Sequence, residues 1–208
     1  MAVPRVVEVD VSGGYVIENG ERIDPFDVVD SLQGSGDRIL LHDIDGRRRS
    51  KHQLDMIQDL SAEIGIWYDG SIRRADNLID PIVAGAEKVV VDIGLFTIAE
   101  FETAIRITDR VVVDVDFEHG DRVRDEEFSG QTAQGLRDLF NMGYSDFILS
   151  REKFENLVES IGGADVNLWF RGDQQTNPLH PAPGKSMPRG VNVCGRIAPL
   201  DELVEKND

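Results

Sequence analysis

Short runs of aliphatic residues alternate along this chain with segments whose apolar positions recur at helical spacing. The runs occupy residues 5–11 (RVVEVDV), 38–43 (RILLHD), 65–69 (GIWYD), 88–92 (KVVVD), 110–116 (RVVVDVD), 146–149 (DFIL), 166–170 (VNLWF) and 190–194 (GVNVC). Being mostly Val, Ile and Leu, they predict strands covered on both faces, as in a parallel sheet. Between them, Leu54, Ile57, Leu60 and Ile64 form one stripe on a helix over residues 53–64. Leu78, Ile82 and Val83 lead into a helix stop at Gly85, and Leu136, Leu139 and Phe140 into another at Gly143. Gly13-Gly14 reads as a hairpin turn.

Eight strands with helical segments between them give the βα rhythm of a parallel sheet, and right-handed crossovers allow eight units to close. The predicted fold is a (β/α)8 TIM barrel occupying residues 1–208 as one domain, with a doubly wound open sheet as the alternative. The barrel is a shortened one, since such folds typically take about 250 residues. After the seventh strand, residues 174–189 hold four of the chain's prolines, whose missing N–H groups forbid a normal helix. An irregular connection is expected there in place of helix seven.

Charge narrows the partners. The 208 residues carry 39 Asp and Glu against 22 Lys and Arg, a formal net charge of -17. Such a chain is repelled by nucleic acid and by anionic membranes, so neither is an expected partner. No apolar run approaches the roughly 20 residues of a membrane span, and MAVPRVVEVDV lacks a signal-peptide layout. One cysteine, Cys194, excludes an internal disulfide and a multi-cysteine zinc site. A cytoplasmic protein is expected, with no metal and no cofactor.

In parallel barrels functional groups gather where strands end at their C-terminal side. That places Asp10, Asp43, Asp45, Asp69, Asp92, Asp114 and Asp116 near one face. Each taken singly also fits a turn or helix cap. On the fifth strand Asp114 and Asp116 share one face while Val111, Val113 and Val115 share the other, so both carboxylates point inward. Crowded inward carboxylates shift one another's pKa upward, as an acid–base pair requires. Basic residues follow the same strand ends: Arg47, Arg48 and Arg49 after strand two, Arg73 after strand three, Arg171 after strand seven and Arg196 after strand eight. Arginine suits bidentate capture of phosphate. His42 reads as a hydrogen-bonded strand residue, and Trp67 and Trp169 read as core.

The order of these pieces resembles proFAR isomerase, a (β/α)8 family of histidine biosynthesis that performs an Amadori rearrangement on a bis-phosphorylated ribotide. VEVDVSGGYVI resembles its first strand and hairpin, ILLHDIDGRR its second strand, and WYDGSIRRADNLIDPIVAGAEKVVV its third unit. RVVVDVDFEHG resembles the strand bearing the second catalytic aspartate. The resemblance implies Asp10 and Asp116 as the acid–base pair, with Asp114 in reserve on the same face. For phosphate and substrate it implies the turn Gly70-Ser71, Gly94 after strand four, and Cys194-Gly195-Arg196 as an echo of the last phosphate loop, alongside Asp43 and the arginines. The chain departs from the family in VDIGLF, ILSREK and FRGDQQTN, which marks a divergent, shortened branch. That branch occurs in archaea and in bacteria with tetrahydromethanopterin-linked one-carbon metabolism.

Three functions stand open: acid–base chemistry on a phosphorylated small molecule, proFAR isomerisation itself, or a non-catalytic binding or assembly role. Oligomeric state is left open.

Overall fold

The computed structural model describes residues 5–33, 37–115, 133–150, 166–171 and 191–200. Eight strands run parallel and close on themselves: β1 (Arg5–Ser12), β4 (Arg38–Asp43), β5 (Gly65–Asp69), β6 (Lys88–Asp92), β7 (Val111–Asp114), β8 (Asp146–Ser150), β9 (Val166–Arg171) and β10 (Val191–Pro199). Closure is made by β10 against β1, with Arg196 level with Arg5 and Pro199 level with Glu8. No open parallel edge remains, and the doubly wound sheet is ruled out. A hairpin, β2 (Tyr15–Glu18) and β3 (Glu21–Ile23), extends antiparallel from the end of β1 through the expected Gly13-Gly14 turn.

Helices cover the outside: α1 (Pro25–Leu32), α2 (Ile44–Arg49), α3 (Leu54–Leu60), α4 (Ile79–Ala84), α5 (Ile98–Ile107) and α6 (Ala133–Met142). Gly85 and Gly143 end α4 and α6 at positive φ, as their positions predict. The α3 stripe stops at Leu60, so Ile64 lies beyond it, and Val83 on α4 is exposed rather than core. Residues 174–189, where an irregular connection is expected, lie outside the described residues.

Alternation along each strand sorts its side chains. Val7, Ile39, Tyr68, Val91, Val113 and Phe147 are among those packed outward beneath the helices. Inward, each barrel strand contributes one residue to a separate apolar layer: Val6, Leu40, Trp67, Val90, Val112, Ile148, Trp169 and Ile197. Trp67 and Trp169 meet edge-on with ring centres 4.8 Å apart, so both tryptophans are core, as expected. Burying each side chain of this layer is worth roughly 1.5–3 kcal/mol. The layer plugs the barrel. Two residues further along every strand the next inward position is reached, and there the chemistry changes.

Candidate active site

Two residues beyond the plug, the inward positions read Glu8, His42, Asp69, Asp92, Asp114, Ser150, Arg171 and Pro199. A cavity of about 420 Å³ opens above them, lined by Glu8, Asp10, His42, Asp69, Asp92, Asp114 and Arg171, with Arg47 reaching in from α2. It lies at the C-terminal ends of the strands, where barrel sites are built.

Ion pairs stitch most of this layer together. His42 donates from Nδ1 to Asp69 Oδ2 at 2.9 Å and from Nε2 to Glu8. Asp69 also accepts from Arg47 Nη2 at 2.7 Å and from the Ser71 backbone N–H at 2.9 Å. Across the barrel, Arg171 Nη2 lies 3.1 Å from Glu8 and 3.0 Å from Asp114. The continuous chain Arg47–Asp69–His42–Glu8–Arg171–Asp114 thus joins α2 and five of the barrel strands. Burial alone would pull the His42 pKa down. Its bonds to two carboxylates outweigh burial and push it up to about 9, so the ring is an imidazolium at neutral pH. Burial opposes ionisation of Asp69 and Glu8 as well, yet their cationic neighbours hold both below the usual carboxylate range.

Asp92 is different. The one hydrogen bond to its carboxyl group among the described residues comes from Gly94 N–H, 2.7 Å from Oδ1. Burial first, then the charges of Asp114 and Asp69, raise its pKa to about 7 despite the Gly94 bond and Arg47.

The expected site residues divide by where the strands aim them. Asp10 on β1 is exposed and lines the cavity, and Asp114 faces inward and is buried. Asp116 lies outside the described residues. Arg47 and Arg171 reach the cavity with their charges committed to carboxylates. Arg48 and Arg49 are exposed on α2, which replaces the expected loop, and Arg73 is exposed beyond β5. Gly70 is buried where a Cβ would stand 2.8 Å from His52 Nδ1, and Ser71 takes φ 51° so that its N–H can reach Asp69. Gly94 serves Asp92 in the same way.

Asp43 does not reach the cavity. It sits one residue past the inward His42, so it points beneath the helices, completely buried. There it caps α2 through Gly46 N–H and accepts from Gln53 N–H and the Tyr68 hydroxyl. Asp45 is likewise taken up by structure, accepting from Gly13 N–H, Ser12 and Gln53 and so fastening the hairpin to α2. Gly195 and Arg196 are not in a mouth loop either. β10 runs on to Pro199 past an irregularity at residues 193–195, which leaves Arg196 level with Arg5 at the opposite end of the barrel.

Residue order alone does not single out Glu8 and His42 as site residues, although alternation signals Glu8. Val7, Val9 and Val11 share one face of β1, which turns Glu8 and Asp10 to the other, as on the fifth barrel strand.

No family model matches the sequence, and no curated protein matches it. Among solved structures the chain is similar to the crystal structure of KGPDC from Streptococcus mutans, with a TM-score of 0.64 over 99% of this chain and 92% of that one. At 15% identity the likeness is one of fold, the closed (β/α)8 barrel.

Proposed function

We propose that this barrel is an acid–base enzyme acting on a small phosphorylated molecule held across its C-terminal mouth. The observation that carries the reading is the layer of inward ionisable side chains, one step above an apolar plug, around a cavity of about 420 Å³. Asp10 supplies the base: it is exposed to that cavity and has no side-chain partner among the described residues. Arg48 and Arg49 on α2 and Arg73 after β5 are exposed on segments that follow the C-terminal ends of β4 and β5, and their chemistry suits a phosphate. The resemblance to proFAR isomerase points the same way for Asp10 and makes that ribotide one member of the substrate panel.

A panel of pentose phosphates, aminoaldose phosphates and their dephosphorylated counterparts, read by thermal shift and by NMR of the carbon skeleton, tests the reading. Phosphorylated members are expected to stabilise the protein and at least one to isomerise. Equal stabilisation by the dephosphorylated compounds removes phosphate from the proposal. Reversing charge at Arg48 and Arg73 together is expected to weaken binding more than tenfold, since charge-assisted bonds are worth about 1.5–3 kcal/mol each. Unchanged affinity in calorimetry returns both arginines to the solvated surface.

For the converted compound, Asp10→Asn is expected to lower turnover about 100-fold or more with the fold intact, the usual scale for a positioned acid or base. Full turnover in that variant removes Asp10 from the mechanism.

A further inference from the structure

Going round the barrel, β5, β6 and β7 are neighbours, and each ends in an inward aspartate: Asp69, Asp92 and Asp114. Asp92 and Asp114 are register partners, so their backbones stand about 4.8 Å apart. The two outer carboxylates have cations of their own, His42 and Arg47 for Asp69, and Arg171 for Asp114. The middle one has no ion-pair partner among the described residues, only the Gly94 N–H and the more distant charge of Arg47, and it faces the cavity. Three adjacent carboxylates with cations on two of them leave the third where a proton is the cheapest counter-charge.

We propose that Asp92 is a catalytic acid of this site, giving its proton to an oxygen or nitrogen of the substrate while Asp10 takes one from carbon. The proposal rests on the acid–base reading above and deepens it, replacing the Asp10/Asp116 pair by Asp10 and Asp92. Asp10 lies on β1, three strands round the barrel from β6. The transfer balances as protons alone. The O–H bond of Asp92 breaks, an O–H or N–H bond forms on the substrate, and the C–H electron pair stays with the substrate as its proton passes to Asp10. Asp10 then delivers its proton to the adjacent carbon while Asp92 recovers one from the hydroxyl of the carbon that becomes the new carbonyl, which completes an isomerisation without oxidant or reductant. The raised pKa of Asp92, set by burial and by its two acidic neighbours, keeps the acid form populated near neutral pH.

The test uses the full chain labelled with 13C in its aspartate carboxyls, titrated by NMR from pH 4 to 9. One resonance, absent in Asp92→Asn, is expected to titrate near pH 7. In Asp114→Asn its midpoint is expected to fall by at least one pH unit, because a flanking charge is lost and Arg171 is released. A wild-type midpoint below 5 overturns the proposal whatever the substrate. With a converted compound in hand, Asp92→Asn is expected to lower kcat at least 100-fold with little change in KM, and to lose the alkaline limb near pH 7. Retention of both kcat and that limb overturns the catalytic role. A midpoint near 7 with no compound converted tells against the acid–base reading, and the catalytic role falls with it.

Discussion

Asp43→Ala is expected to destabilise the protein by about 3–5 kcal/mol, although Asp43 touches no part of the cavity. The carboxylate is completely buried and accepts three bonds, from Gly46 N–H at 2.8 Å, Gln53 N–H at 2.8 Å and the Tyr68 hydroxyl at 2.6 Å. Charge-assisted bonds are worth roughly 1.5–3 kcal/mol each, and three on one group sum to less than three separate values. Removal strands two backbone N–H groups, leaves the Tyr68 hydroxyl with His52 Nδ1 at 2.8 Å as its partner, and opens a void. The same bonds tie the end of β4 to α2, to the start of α3 and to β5. For a chain of this size the loss corresponds to a fall of about 10 °C in Tm, read by circular dichroism. Tyr68→Phe alone is expected to cost less, and the double variant less than the sum. A loss below about 1 kcal/mol for Asp43→Ala shows that the three bonds are dispensable.

His42→Gln is expected to cost somewhat less, about 2–3 kcal/mol at pH 7, since removing the cation leaves Asp69 with Arg47 and Glu8 with Arg171 as their remaining counter-charges. Its pH signature separates this from an ordinary packing defect. The folded-state pKa of about 9 lies above the ordinary value near 6.5, so the stability drawn from His42 is complete below pH 6.5. It fades through the interval above and is lost as pH rises through 9. The difference between the two values is worth roughly 3 kcal/mol, because each tenfold change in proton affinity corresponds to about 1.4 kcal/mol. Glu8 and Asp69 have the opposite sign: their lowered values give stability that is present above the ordinary carboxylate range and lost in acid. Denaturant melts between pH 6 and 10 are therefore expected to show wild-type stability declining toward pH 9–10 and a flatter profile in His42→Gln. Parallel profiles mean that the imidazolium is not what joins β1, β4 and β5.

Much of this was legible in the order of residues. Val-rich runs marked all eight barrel strands because side chains buried on both faces must be apolar. Gly13-Gly14, Gly85 and Gly143 marked turns and helix stops because those places demand backbone conformations that other residues resist. Period-two alternation was enough to turn Asp114 inward, and it turns Glu8 inward on β1 by the same rule. The acidic balance and the Arg-rich segment after β4 were in plain view as well.

What linear order left undetermined was the consequence of closure. His42 and Asp43 are adjacent, yet one faces the cavity and the other lies under the helices. The register of β4 against β1 and β5 settles which is which, with His42 level with Asp10 and Asp69. Arg196 stands after a predicted strand but inside the real one, because β10 continues past residue 194 in register with both β9 and β1. Arg171 reaches Glu8 and Asp114 only because a closed ring sets β9 within range of both β1 and β7. The lone carboxyl of Asp92 has the same origin. Sequence supplies seven aspartates near strand ends, each equally able to cap a turn. Which of them receives a cation, and which is left between two charged neighbours, is fixed by the order of strands round the barrel, since Coulomb interaction acts through space and not along the chain.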